Sequence, residues 1–351
     1  MRRPGPQGGD GIDRRPACAL LSPMHTIAVI GTGTWGCALA SLLHSTGAEV
    51  LLWGRRQDMV DQLCEQRRHP RLGEHPLPPD LPMSADAEAL GSAETLIWAV
   101  PTQHSRRVAQ QLQPHLQTCQ RVVSVSKGLE QGSLLRISQI LAECLPAHDF
   151  WCLSGPSHAE EVIGGHPAGL VLAGSGPQGS ELQQLLNRTP LRVYLGHDVL
   201  GVELAGALKN VIAIAAGCVD ALNLGDNVKA TLVTRGLAEL RRLGRAAGCH
   251  EQTFAGLAGI GDLLTTCYSR HGRNRALGQA LALGRSLEDF CTQTGTVPEG
   301  AWTAEAAVRL GERLAVELPI ASQVASLLRG DTTVDQAITG LLAREAREED
   351  L

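Results

Sequence analysis

Residues 26–45 read TIAVIGTGTWGCALASLLHS: an apolar run, a glycine-spaced loop, then a helical pattern. Thr26–Ile30 is a short apolar run that ends at glycine, as in a strand buried on both faces. Gly31-Thr32-Gly33-Thr34-Trp35-Gly36 forms G-x-G-x-x-G, and Cys37–Ser45 has helical spacing. Gly31 permits a tight turn, Gly33 lets a diphosphate approach the backbone, and Gly36 allows close helix–strand packing. The free N–H groups and dipole at the helix start favour that diphosphate. The same glycines would also suit a ligand-free turn. The strand before them and the helix after them favour a dinucleotide site.

Further apolar runs read as parallel strands at Val50–Trp53, Thr95–Val100, Arg121–Ser126, Phe150–Leu153, Ala168–Ala173 and Leu191–Leu195. Helical patterns lie between them, notably at Ser133–Cys144. This alternation predicts an α/β domain, a Rossmann-like doubly wound parallel sheet. After about Leu200 the strand-like runs stop. Val202–Val219, Lys229–Ala247, Ser286–Gln293, Ala301–Leu314 and Ala321–Leu328 all read as helices. The expected division is a tail or upstream start at 1–23, with Met24 as an alternative start, and a dinucleotide-binding domain at 24–198. An all-helical substrate domain follows at 199–345, then a charged tail at 346–351, with Arg344–Asp350 as a frayed helix end.

With 351 residues, 43% of them hydrophobic and 19% charged, the chain can bury two cores. Its most apolar stretch, Val202–Val219, is interrupted by Glu203 and Lys209, so no membrane span is expected. The net charge is −5, or −7 once the +2 of residues 1–23 is set aside, and only ten residues are aromatic. Both features argue against a nucleic-acid partner. Ten cysteines with no C-x-x-C pair imply reduced thiols, no metal framework and a cytoplasmic setting.

The 31 basic residues comprise 28 Arg and only three Lys: Lys127, Lys209 and Lys229. A GC-rich genome explains the arginines. Arginine cannot lose its proton in a protein, whereas a buried lysine can, so the three lysines are candidates for proton chemistry.

Where an NAD site would place a carboxylate for the ribose, the second strand ends in Trp53-Gly54-Arg55-Arg56. Two guanidiniums there suit a 2′-phosphate, which favours NADPH over NADH. Pro101, after the strand at 95–100, shapes the loop facing the cofactor.

Four further clusters carry polar chemistry: Ser126-Lys127-Gly128; Ser154-Gly155-Pro156-Ser157-His158-Ala159-Glu160-Glu161; the run Glu203–Asn210; and Gly259-Ile260-Gly261-Asp262 followed by Gly272-Arg273-Asn274-Arg275. With the nucleotide loop and Asp226-Asn227-Val228-Lys229-Ala230, the chain over roughly residues 24–345 resembles the bacterial NAD(P)-dependent glycerol-3-phosphate dehydrogenases. The resemblance implies the 6-phosphogluconate-dehydrogenase-like pairing of domains, a homodimer, and reversible reduction of dihydroxyacetone phosphate to sn-glycerol 3-phosphate for phospholipid synthesis. It makes Lys209 the proton donor and acceptor. It assigns Lys127, Gly155, Ser157, Lys209, Asp262, Gly272, Arg273 and Asn274 to the triose phosphate. Thr34, Trp35, Arg55, Arg56, Lys127, Ala159, Arg273, Val297 and Glu299 fall to the cofactor. Family members often carry Ser where Gly272 stands, so a contact from that position comes only from backbone.

The chemistry agrees with those roles. Ketone reduction builds negative charge on oxygen, which a positioned ammonium neutralises and then protonates. Free lysine titrates near ~10.4, and burial beside a second cation such as Lys127 would lower it. Asp262 would pull the other way. Arg273 and a helix start suit a phosphate. His158 reads as a polar core histidine beside the site, and Lys229 has no derivable role. The competing readings are a hydroxyacid or ketopantoate-type reductase, whose substrates bear carboxylates, and a catalytically dead dinucleotide sensor. The Gly272–Arg275 cluster and the adjacent Lys209–Asn210 pair speak against the first, and the retained Lys127, Lys209 and Asp262 against the second.

Overall fold

The computed structural model describes residues 26–146, 148–345 and 348. The tail expected at 1–23 and nearly all of the charged end at 346–351 lie outside those residues. Eight strands form one sheet: β1 (Ile27–Ile30), β2 (Val50–Trp53), β3 (Met83–Ser84), β4 (Thr95–Trp98), β5 (Arg121–Ser124), β6 (Asp149–Ser154), β7 (Ala168–Gly174) and β8 (Leu191–Gly196). Their spatial order is β3-β2-β1-β4-β5-β6-β7-β8. Six helices accompany them: α1 (Thr34–Ser45), α2 (Gln57–Gln66), α3 (Thr102–Leu112), α4 (Ile137–Cys144), α5 (Ala159–Ile163) and α6 (Gly179–Leu186).

Ile27 pairs with Val50 on one side and Thr95 on the other, so β1 is central. Alternate β1 side chains serve different cores: Ile27 and Val29 join one cluster, Ala28 and Ile30 the other. Burial on both faces is why the strand reads as an unbroken apolar run. The order reverses at β1/β4, and the crevice beyond the carboxyl ends there is where open α/β sheets bind ligands.

All seven expected strands are present. The eighth, β3, is two residues long and too short to show a pattern. The expectation of an all-parallel sheet needs one correction: β7 runs antiparallel to β6, and β8 is parallel to β7. Between β6 and β7 the only helix is α5, five residues long. At ~1.5 Å per residue it is too short to carry the chain back along the sheet, so β7 returns directly.

The sheet ends at Gly196, and α7 (Val199–Ala221) begins a run of helices. These are α8 (Asp226–Ala247), α9 (Glu251–Ala255), α10 (Asp262–Tyr268), α11 (Arg273–Ala282), α12 (Leu287–Thr294), α13 (Glu299–Arg313), α14 (Pro319–Arg329) and α15 (Val334–Leu342). One π-turn, Leu257–Gly261, leads into α10. Helix α7 is long and apolar enough to cross a membrane by those measures alone, but it is the buried axis of the helical half. It meets α11 at two glycines. A Cβ on Gly217 would lie 2.0 Å from the Arg275 carbonyl, and one on Gly278 would lie 1.8 Å from that of Ile214. Helix α15 ends at Leu342, and Arg344 beyond it pairs with Glu317 at 2.8 Å instead of extending a helix.

Candidate active site

The nucleotide loop fits a dinucleotide diphosphate. Gly31 has φ +121°, and a Cβ there would meet the Ala99 carbonyl at 2.7 Å. A Cβ on Gly36 would sit 2.0 Å from the Gly31 oxygen, so neither position accepts a side chain. At Gly33, the N-cap of α1, nothing lies within 4 Å of where a Cβ would project, and no side chain caps the helix. The loop is thus tight against β4 on one side and open on the other, with the α1 N–H groups free for an anion. Thr34 and Trp35 line the cleft beyond it, with Ala159 and Glu160 from α5.

Arg55 and Arg56 are exposed after β2, outside that cleft. Arg56 forks onto Asp58, with Nε 3.1 Å from Oδ1. A carboxylate therefore does follow the two arginines, two residues after Arg56 in the first turn of α2, and is held by one of them.

The centre of the site is a buried carboxylate between two ammoniums. Asp262 is 2% exposed; Lys209 Nζ lies 2.7 Å from its Oδ1, and Lys127 Nζ lies 2.7 Å from its Oδ2. Lys127 also donates to the Gly155 carbonyl at 3.1 Å, and Lys209 to the Thr266 hydroxyl. Three separate elements supply these groups. Lys127 follows β5, Lys209 is midway along α7, and Asp262 opens α10 after the π-turn. Burial pulls Lys209 down to about 8; Asp262 opposes this and Lys127 adds to it. Burial alone would raise Asp262, but the two ammoniums outweigh it and hold the carboxyl below its ordinary range.

The remaining expected residues divide clearly. Ser157, Gly272, Arg273, Asn274 and Glu299 line the same cleft as Lys127 and Lys209. Gly272 is the extended N-cap of α11 without a side-chain cap, so that helix start offers backbone N–H groups beside Arg273. Asn274 is buried: it donates to Asn210 Oδ1 at 3.0 Å and accepts from Gly300 N–H at 2.9 Å. Glu299 Oε1 accepts the Thr102 N–H at 3.0 Å, tying α13 to α3, and burial pushes its carboxyl up to about 7. Gly155 lies behind the wall and reaches the site through its carbonyl. Val297 packs against the helical core next to Pro298 and Glu299, which do line the cleft. His158 also lines it; burial, then Lys209, lowers its pKa.

One residue was missed, and another, Asn210, was noted beside Lys209 but given no separate role. Thr266 stands four positions after Asp262, hence on the same helical face, a spacing that could have revealed it. Asn210 adjoins Lys209 and anchors Asn274. Lys229 is not in the cleft. It pairs with Asp220 at 2.8 Å, beside Arg275, and its Nζ lies 4.4 Å from the centre of the Tyr268 ring.

A Rossmann-type sheet, a glycine-rich anion loop and an ammonium pair at the junction with a helical domain define a two-domain nicotinamide-dependent dehydrogenase. The models of the N-terminal and C-terminal parts of NAD-dependent glycerol-3-phosphate dehydrogenase match residues 26–179 and 198–339. The chain belongs to that family. It is 42% identical over 333 residues to "Glycerol-3-phosphate dehydrogenase [NAD(P)+] 1" of Salinibacter ruber, covering 93% of this chain and 97% of that protein. The crystal structure of glycerol-3-phosphate dehydrogenase from Coxiella burnetii superposes with a TM-score of 0.87 at 36% identity, over 92% of this chain and 99% of that one. A ketopantoate reductase from Ralstonia eutropha shares the fold alone, with a TM-score of 0.60 at 18% identity, over 89% and 99% of the two chains.

Proposed function

We propose that the protein reduces dihydroxyacetone phosphate to sn-glycerol 3-phosphate, reversibly, with Lys209 as proton donor and acceptor. The observation that carries this reading is the pair of ammoniums on one buried carboxylate, in a cleft that also holds Arg273 and the start of α11. The substrate phosphate, about −1.5 to −2 near neutrality, suits Arg273 and the α11 N–H groups. A carboxylate substrate would use less of that donor set. The glycine loop, Thr34, Trp35, Ala159 and Glu299 would hold NADPH or NADH, which would supply the hydride. As the carbonyl carbon gains hydride, its oxygen takes a proton from Lys209 Nζ and becomes the hydroxyl. Lys209 is left as a neutral amine and regains its proton from solvent. Lys127 adds positive charge near the developing oxyanion, and Asp262 orients both lysines.

NADPH is the favoured cofactor in this reading, because Arg55 has no carboxylate partner among the described residues and Arg56 can exchange Asp58 for a 2′-phosphate. A domain boundary near residue 198 fits the change from sheet to α7. A reducing, cytoplasmic setting fits the nine described cysteines, all of them free thiols. Mixing the purified protein with NADPH and dihydroxyacetone phosphate, and following NADPH absorbance, tests the assignment. Turnover is expected; no turnover here, together with turnover on a carboxylate ketone, overturns it.

A further inference from the structure

Glu203 has no part in the chemistry above, yet its side chain is only 4% exposed and fully engaged. Its Oε1 accepts the Ser138 N–H at 2.8 Å. Its Oε2 accepts the Ser138 hydroxyl at 2.6 Å and pairs with the Arg136 guanidinium. Arg136 and Ser138 begin α4, in the other half of the chain. A buried carboxylate is costly unless charged and polar donors surround it, and here a guanidinium, a hydroxyl and a helix-start N–H do so.

The position of α4 gives this clamp its significance. The segment between β5 and α4 carries Lys127 near its start and Arg136 at its end. Within it the chain folds back on itself: Leu129 bridges to Arg136, and Glu130 N–H bonds the Leu135 carbonyl at 2.9 Å. Leu129 is fully buried and belongs to the core of the helical half, the cluster that also holds Leu204 and Leu208. Along α7, Gly206 lies about one turn on from Glu203 and Lys209 nearly another turn further, all three of them buried. A Cβ on Gly206 would lie 3.0 Å from the Ser154 hydroxyl and 3.5 Å from Lys127 Cγ, so the Lys127 stem runs alongside α7 at Gly206, next to the end of β6. One helix thus grips the far end of the fold-back through Glu203, packs beside the lysine at its base, and presents Lys209 to the same carboxylate.

We propose that Glu203 is a positioning residue for proton transfer: by gripping Arg136 and Ser138 it seats the β5–α4 segment and thereby fixes Lys127 against Asp262. This rests on the roles given to Lys127 and Lys209 above. Around Lys209 stand Asp262 and Cys267 from α10, Lys127 from the β5–α4 segment, and His158 ahead of α5. Burial keeps Cys267 neutral up to about 12. Glu203 itself faces Arg136 and lies close enough to Cys152 of β6 to raise its thiol. If the clamp opens, the cation that withdraws from Lys209 is Lys127. One of the two influences lowering Lys209 is then lost.

The test uses the full-length enzyme with NADPH and dihydroxyacetone phosphate, measuring kcat and KM from neutral to alkaline pH. Glu203→Gln and Arg136→Gln should each raise the substrate KM, lower kcat/KM by up to about 10²-fold, and move the alkaline limb upward. The double variant should be no worse than either single one, because both break one pair. Ser138→Ala, which leaves the charge pair intact, should show a smaller shift and keeps the idea testable if Glu203→Gln does not fold. A lower melting temperature with unchanged KM and unchanged limb overturns the proposal and leaves Glu203 a purely structural clamp. Lys127→Met separates the two levels. If it leaves turnover and limb intact, the reading of Lys127 is wrong, and the inference falls with it.

Discussion

Lys209 Nζ lies 2.7 Å from Oδ1 of Asp262, and both groups are shut away from solvent. Because Lys127 holds the other oxygen, one carboxylate answers two ammoniums and the trio keeps a net positive charge. That surplus suits a site where an oxyanion develops. Asp262 is also what keeps Lys209 from falling further than about 8. Asp262→Asn should therefore move the alkaline limb of ketone reduction downward, toward neutrality, and lower kcat above it. Removing one partner from a buried pair should also cost about 3–5 kcal/mol of stability. The pH profile and a urea melt of the variant check both. A limb that stays at about 8 would show that Asp262 does not govern the proton donor.

The direction of pH dependence follows from the role of Lys209. As an acid it must be protonated, so reduction should decline as pH rises through about 8. As a base for the reverse reaction it must be neutral, so oxidation of sn-glycerol 3-phosphate should rise over the same interval. Lys209→Arg keeps a cation but removes an exchangeable proton at usable pH, and should lose about 10²–10⁴-fold in kcat. Near wild-type turnover in that variant would remove Lys209 from the chemistry.

We propose that cofactor choice turns on the Arg56–Asp58 pair. Both side chains are exposed, so the pair itself is weak and exchangeable. Asp58→Asn should free Arg56 and raise the NADPH-to-NADH ratio of kcat/KM. Arg55→Ala with Arg56→Ala should lower that ratio, through the KM for NADPH, by about tenfold or more. Ratios that stay put in both variants would show that neither arginine meets the 2′-phosphate.

The fold was legible because its strands are buried on both faces, so they appear as apolar runs, and because glycine spacing marks the β1–α1 turn. The antiparallel return of β7 was not, since a strand's composition does not carry its direction; the short link through α5 does. In the site, Lys127 and Lys209 stood out by their rarity. Their meeting on Asp262, from residues 53 and 135 apart in sequence, needed the fold. Lys229 stood out equally and proved to be elsewhere, so rarity found candidates without sorting them. Asp58 escaped because the carboxylate rule looks at the strand end, and this one sits inside the next helix.

Lys229 should accordingly behave as a packing residue. Lys229→Met removes the bond to Asp220 and the contact with Tyr268, but Arg275 still answers Asp220. The expected loss is about 1.5–3 kcal/mol of stability, with kcat and the pH limb unchanged. Thermal melting and steady-state kinetics on the same preparation distinguish this from a role in turnover.

Glu239 supplies the last prediction, far from the cleft. It is 3% exposed and caps α14 from α8, accepting the Ile320 N–H at 2.6 Å and the Ala321 N–H at 3.2 Å. Those donors favour the carboxylate, yet burial outweighs them and pushes the group up to about 7 from an ordinary 4.5. The folded chain therefore holds a proton that the unfolded chain releases between those values. Its contribution to stability is fully present below 4.5 and is lost as pH rises to about 7, the reverse of an ordinary ion-paired carboxylate. Glu239→Gln keeps an oxygen for the two N–H groups and removes the titration. Its stability should change less between mildly acidic and neutral pH, and above neutrality it should exceed wild type by up to about 3 kcal/mol. Urea melts of both proteins on either side of pH 7 decide the matter: a variant that is less stable at alkaline pH, with the wild-type slope intact, would mean that the carboxylate is a net asset to the α14 cap.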